Sequence, residues 1–274
     1  MKEKLYGIIG NPVLHSLSPA LHNYWFKKYN LNSSYNLFNI KENEIEKMLD
    51  RVRSGEINGL NVTLPYKQKV ISYLDQIIND AGETNSVNTI YLNEEGVLVG
   101  DNTDVFGIQA AYLKEINDSK DKKALVIGAG GVSPSVIFAL IKSKIQNITV
   151  VNRTHDKSLF LKKKFKFLNI LKWNSLKADL GNFDIIINAT SLGLKNGNDF
   201  DFEFNGVKDD VIYIDTIYNP IQTKTVKFLN KNKKRTFGGL EMLMHQGQKS
   251  FYLWNKINPE INNELIELLI SKLK

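Results

Sequence analysis

The run Leu125-Val126-Ile127-Gly128-Ala129-Gly130-Gly131 limits the fold of this chain more than any other stretch of its 274 residues. A β-branched strand over 123–127 enters a glycine cluster, and a helical stretch over 134–143 follows. Glycines let the backbone approach a pyrophosphate, and the helix start offers free N–H groups and the positive end of its dipole. A glycine turn that merely joins strand to helix looks the same locally, and Ser133 replaces the third fingerprint glycine. The end of the next strand carries more information. A domain that binds NAD places Asp or Glu there, on the ribose hydroxyls. This strand instead ends Val150-Val151-Asn152-Arg153-Thr154, roughly 24 residues past Gly128, with Lys157 beyond. An acid would repel a 2′-phosphate, whereas Arg153 can grip it bidentately and Lys157 adds a second charge. A solvent-facing Arg and Lys in a turn is the plainer alternative; the placement favours NADP over NAD. Ile187-Asn188-Ala189-Thr190-Ser191 ends a further strand, either at the ligand-binding carboxyl edge or as a polar loop without a role.

Short apolar runs alternate with amphipathic stretches along the whole chain, which predicts βαβ units and largely parallel sheets. Strands are expected over 5–9, 35–40, 59–64, 123–127, 148–152, 184–189 and 211–215, with a hairpin of 87–92 and 97–100 across 93–96. Helices are expected over 18–29, 43–53, 66–78, 134–143, 240–256 and 260–273. In the first of these, Ser18 serves as N-cap and Pro19 as first helical residue. The pattern restarts after Asp104, so two domains are expected, joined near 102–107.

Composition excludes several classes. With no cysteine there are no disulfides, thiolate metal sites or cysteine nucleophiles. His15, His22, His155 and His245 show no ligand spacing with acids, so no metal is expected. The apolar run at 5–9 is too short for a signal-peptide core, and nothing approaches the ~18 apolar residues of a membrane span. A cytoplasmic protein with no membrane partner is expected. The net charge of +7 raises the question of nucleic acid. Its densest runs, Lys162-Lys163-Lys164 and 231–235, read as solvated helix faces and ends, so no nucleic-acid partner is expected.

The N-terminal half carries other polar signals. Ser16 and Ser18 lie two apart, so in extended backbone their hydroxyls share a side; Ser18 at a helix start suits either a plain cap or an anion. Asn61 and Thr63 share a strand face, Pro65 stops that strand, and Lys67 falls in the first turn of the expected helix. There it would oppose the dipole at a cost of ~0.5 kcal/mol, which marks it for proton transfer, although a lysine reaching to solvent is the simpler account. Asn88 follows in Val87-Asn88-Thr89, and Asp104 closes Gly100-Asp101-Asn102-Thr103-Asp104 at the expected domain boundary.

Taken in order, these fragments resemble the shikimate dehydrogenase family over essentially the whole chain. They include Gly10-Asn11-Pro12, His15-Ser16-Leu17-Ser18-Pro19, 61–67, 87–89, 100–104, 128–131 and Asn152-Arg153-Thr154. Asn188-Ala189-Thr190-Ser191, Tyr218-Asn219-Pro220 and Gly238-Gly239-Leu240 through Gln246 complete the match. The resemblance implies a two-lobed α/β enzyme: a substrate domain of 1–103 plus 239–274, with a mostly parallel sheet, and a doubly wound Rossmann-type NADP domain of 104–238. It implies NADPH-dependent reduction of 3-dehydroshikimate to shikimate. Lys67 and Asp104 would be the catalytic pair, and Ser16 and Ser18 would hold the substrate carboxylate. Asn61, Thr63, Asn88, Tyr218 and Gln246 would hydrogen-bond the substrate. Gly128, Ala129, Gly130, Gly131, Val132, Asn152, Arg153, Thr154, Lys157, Thr190, Gly239 and Met242 would line the cofactor. A homodimer is compatible with the resemblance. Quinate preference, use of NAD, an idle ligand-binding relative and a folate-type dehydrogenase of similar two-lobed build are the alternatives, the last disfavoured by the paired serines and 61–67.

Overall fold

In β1 (Lys4–Gly10), odd and even positions face different cores. Leu5 and Ile9 join Leu60, Val62, Ile90 and the helix Ile45–Arg53, while Tyr6 stacks on Phe26 and Trp254. A strand of period two sandwiched between helices gives this pattern. The computed structural model describes residues 3–116 and 121–273. The chain forms two compact units, Met1–Gly107 with Met244–Lys272, and Ile108–Leu243.

The first unit holds six strands in the order β2-β1-β3-β5-β6-β4. They are β1, β2 (Ser33–Asn39), β3 (Gly59–Val62), β4 (Gln76–Ile77), β5 (Thr89–Leu92) and β6 (Leu98–Asp101). β1 pairs parallel with β2 and β3, β4 pairs parallel with β6, and β5 runs antiparallel between β3 and β6. The segments that follow β1 and β3 therefore leave the same edge of the sheet, bringing 11–18 and 63–67 together. The second unit is wholly parallel, in the order β12-β11-β10-β7-β8-β9. Its strands are β7 (Lys123–Ile127), β8 (Asn147–Val151), β9 (Asn169–Leu171), β10 (Ile185–Asn188), β11 (Ile212–Asp215) and β12 (Arg235–Phe237). From its first strand the sheet grows one way through β8 and β9, then the other way through β10 to β12, as a doubly wound sheet does.

Two local expectations fail. No helix forms over 66–78: a 3₁₀ turn, Lys69–Tyr73, is followed by β4. Val70, Ile71, Ile77 and Ile78 resist helix, and tertiary partners take the backbone groups a helix would use. Val87 N–H donates to Lys67 C=O, Asp75 N–H to Leu98 C=O and Ile78 N–H to Gly100 C=O. Lys67 therefore lies in a turn and opposes no helix dipole. Ser18 is not an N-cap either. Leu17, in αR geometry, caps the helix Ser18–Lys28, and the Ser18 hydroxyl is engaged elsewhere. Lys162, Lys163 and Lys164 are exposed as expected, in the last turn of the helix His155–Lys164, whereas in 231–235 Lys234 is half-buried on Asp209 at 2.6 Å and Arg235 opens β12.

The aromatic core of the first unit contains His22, fully buried and stacked on Tyr35 at 4.4 Å with an interplanar angle of 2°. Among the described residues neither ring nitrogen has a hydrogen-bond partner. Burial pushes its imidazole down to about 3. The unfolded chain binds this proton below its ordinary value of ~6.5. Between the two values only the unfolded state is protonated, so the His22 contribution is complete above ~6.5 and falls by ~1.4 kcal/mol per pH unit below it. From pH 7 to pH 5, the wild type should lose about 2 kcal/mol more unfolding free energy than His22→Phe, as measured by urea titration. Parallel losses in the two proteins would refute the assignment.

Candidate active site

In the first unit, Lys67 Nζ donates to Asp104 Oδ2 at 2.6 Å, with the two side chains 12% and 5% exposed. Asp104 opens the helix Asp104–Ala111, where an acid suits the dipole, and Asn102 Oδ1 accepts its N–H at 3.0 Å. The other carboxylate oxygen, Oδ1, accepts from Asn88 Nδ2 at 2.9 Å. Asn88 cannot be flipped without loss. Its Oδ1 accepts from Thr103 N–H at 2.7 Å and from the Thr89 hydroxyl at 3.1 Å, which turns its NH₂ toward Asp104 and toward Gln246 Oε1 at 3.3 Å. An ammonium held on a fixed carboxylate, both nearly dry, can pass a proton to a ligand oxygen beside it.

A hydrogen-bonded path joins this pair to the serines. The Ser16 hydroxyl donates to Ser18 Oγ at 3.1 Å, and Ser18 N–H donates to Ser16 Oγ at 3.2 Å. The hydroxyls meet through this local turn and not along an extended strand. Ser18 bonds the hydroxyl of Tyr35, which burial pushes well above its ordinary value and so keeps protonated. Tyr35 donates to Asn61 Oδ1 at 2.7 Å. Asn61 Nδ2 donates to Asn88 C=O, Thr89 Oγ1 and Ser250 Oγ at 3.0–3.2 Å. Both N–H hydrogens of Asn61 are thus used within the protein. Thr63 leaves β3 half-buried, its N–H on Ile9 C=O.

The second unit gathers the cofactor candidates at the carboxyl edge of its sheet. Gly128 leaves β7 with φ +117°, and a side chain there would meet Ala189 C=O at 2.7 Å. Gly130 differs: it is exposed, and a Cβ would meet nothing within 4 Å, so the fold itself does not require glycine there. Close approach of a ligand would. Gly131 and Val132 lead into the helix Ser133–Lys142, whose first turn has Pro134, no acid and no side-chain cap. Its leading amides and dipole suit a pyrophosphate. Ser133, in place of a glycine, is buried and accepts Gly130 N–H at 3.0 Å. Asn152 links the two turns, accepting from Ala129 N–H at 3.2 Å and donating to Thr154 C=O at 2.8 Å. Arg153, Thr154 and Lys157 are exposed beside it, where they could reach a 2′-phosphate. Thr190 donates both its N–H and its hydroxyl to Asn188 Oδ1, at 3.1 and 2.7 Å. Tyr218 is half-buried on the segment after β11, Gly239 N–H donates to Ile217 C=O at 3.0 Å, and Met242 is buried in the second unit. Among the described residues no group of His, Asp or Glu could hold a metal, and no helix is long and apolar enough to cross a membrane.

Known proteins are similar to this chain in sequence and fold. A family model described as the shikimate dehydrogenase substrate binding domain matches residues 8–90, and one described as shikimate / quinate 5-dehydrogenase matches 111–195. The shikimate dehydrogenase (NADP(+)) of Pelagibacter ubique is 42% identical over 267 residues, which span 97% of this chain and 99% of that protein. This chain belongs to the shikimate dehydrogenase family. Among solved members, shikimate dehydrogenase from Aquifex aeolicus is similar with a TM-score of 0.88 and 34% identity, over 97% of each chain. The Thermus thermophilus shikimate 5-dehydrogenase, solved with NADP(H) and shikimate, has a TM-score of 0.87 and 29% identity over 98% of this chain and 100% of that one.

The structure brings Lys67, Asp104, Asn88 and Gln246 into one cluster, and joins Ser16 and Ser18 to it through Tyr35 and Asn61. Tyr35, Thr89, Asn102, Thr103 and Ser250 were not anticipated. Thr89, Asn102 and Thr103 lie inside the fragments 87–89 and 100–104 without a role of their own there, and Ser250 follows Gln246 by four residues on one helix.

Proposed function

We propose that this chain is an oxidoreductase acting on a CH–OH group, which reduces 3-dehydroshikimate reversibly to shikimate with NADPH, in the route to the aromatic amino acids. The observation that carries the reading is the Lys67–Asp104 contact of 2.6 Å, dry and fixed by Asn88, in a member of this family. Held by the turn 128–132, NADPH would supply the hydride for the ring carbonyl carbon. Lys67 gives its proton to the carbonyl oxygen, completing the alcohol, and takes it back in the reverse direction. Asp104, oriented by Asn88 and Asn102, accepts a hydrogen bond from the reacting hydroxyl and keeps the ammonium in place. The Ser16 and Ser18 hydroxyls donate to the substrate carboxylate, and Thr63, Asn88, Tyr218 and Gln246 bond the remaining oxygens. Asn61, like Asn88, bonds the ring by exchanging one of its internal partners for a substrate oxygen. The turn 128–132 receives the pyrophosphate and Arg153 with Lys157 the 2′-phosphate; Asn152, Thr154, Thr190, Gly239 and Met242 complete the cofactor surface.

Initial rates with shikimate or quinate, each with NADP⁺ or NAD⁺, test the reading. Shikimate with NADP⁺ should exceed the other pairs, and a faster rate with quinate or NAD⁺ would overturn the substrate or cofactor assignment. A cytoplasmic location, no nucleic-acid or membrane partner and a homodimer are carried with the proposal; light scattering on the purified chain tests the last.

A further inference from the structure

Asp215, the last residue of β11, is buried at 1% exposure, and the mechanism above makes no use of it. Four neutral groups donate to its carboxylate. Oδ1 accepts from Ile217 N–H at 3.0 Å and Asn188 Nδ2 at 3.1 Å; Oδ2 accepts from the Thr223 hydroxyl at 2.9 Å and the Tyr213 hydroxyl at 3.4 Å. A carboxylate accepts all four, whereas an amide in its place must turn an N–H toward a donor.

Asn188 passes this constraint on. With its NH₂ fixed on Asp215 and on Leu192 C=O at 3.0 Å, its Oδ1 faces the other way and takes both donors of Thr190. Its backbone carbonyl accepts the N–H and the hydroxyl of Thr216, at 3.1 and 2.9 Å. One carboxylate therefore shapes the segments that leave β10 and β11. In a doubly wound sheet a dinucleotide lies across the carboxyl edge, with one mononucleotide on each side of the first strand. Arg153, after β8, marks the adenosine side, so β10 and β11 lie on the nicotinamide side.

We infer that Asp215 is a positioning residue for the nicotinamide half of the cofactor, acting through Asn188 and the segment 189–192. The inference rests on the NADP(H) reading above. A residue that only supported the fold would lower Tm and leave the affinity of the folded protein alone, or weaken both halves of the cofactor equally.

The deciding comparison is calorimetric binding of NADPH and of 2′-phosphoadenosine 5′-diphosphoribose, which lacks the nicotinamide, to the folded full-length chain. Asp215→Asn should weaken NADPH roughly tenfold, as expected for lost hydrogen bonds to a charged group, with the fragment held within about twofold. Should that variant not fold, Thr223→Val, which removes one donor to Asp215 and also the hydroxyl that caps Val226 N–H, should weaken NADPH roughly threefold with the fragment unchanged, and Thr223→Ser, which keeps both bonds, should restore it. Equal weakening of both ligands, or of neither, overturns the inference. A wild-type chain that binds neither ligand overturns the cofactor reading instead.

Discussion

Lys67→Ala should lower kcat roughly a thousandfold, while KM for shikimate changes by less than about tenfold, because general acid–base catalysis contributes ~10²–10⁴. The lysine contributes most when the proton moves, so its loss should appear in turnover before it appears in substrate binding. Steady-state kinetics in both directions read this directly. Removing the ammonium leaves Asp104 Oδ1 on Asn88 Nδ2 but the buried carboxylate without its counter-charge, so Tm should fall, and the kinetics are compared at a temperature where both proteins are folded. Turnover within about threefold of wild type would remove Lys67 from proton transfer, since no weak acid–base contribution is that small.

Arg153→Ala should reduce the preference for NADP⁺ over NAD⁺ in kcat/KM by roughly a hundredfold, the effect of losing one bidentate phosphate contact worth ~2–3 kcal/mol. The loss should fall on NADP⁺ alone. Arg153 is exposed after β8, so its truncation should disturb little of the core. Lys157 is exposed in the first turn of the next helix and contributes a point charge, so Lys157→Ala should cost less. If NAD⁺ and NADP⁺ lost activity together, Arg153 would be serving the adenine or the fold and not the 2′-phosphate.

How much of this could be read beforehand varied with the physics involved. β7 runs over Lys123–Ile127 as expected, because a buried parallel strand is a continuous apolar run. The short strands β4, β9 and β12 carry Gln76, Asn169 and Arg235 and have no such run; they are strands because a neighbour offers an edge. Expecting a helix over 66–78 had the same weakness, since Asp75 and Ile78 donate to β6 carbonyls far away in sequence. In the site, Lys67, Asn88 and Asp104 were legible as spaced motifs. Ser250 bonds Thr89 and Thr103, 161 and 147 residues away, and no periodicity registers contacts of that span. Asp215 was equally hidden, since an acid that ends a strand looks like a residue turning to solvent.

The aromatic shell around His22 also makes the first unit optically distinct. Trp25 and Trp254 lie 5.7 and 5.3 Å from the imidazole, whereas Trp173, the third tryptophan of the chain, packs on the core of the second unit near Phe200. Indole emission is therefore divided by unit. In a Trp173→Phe protein every tryptophan photon comes from the substrate-side core, so its denaturation curve follows that core alone. Below pH ~6.5 the imidazole gains its proton as the core opens, and the cation then lies three residues from Trp25, while Trp254 has left it.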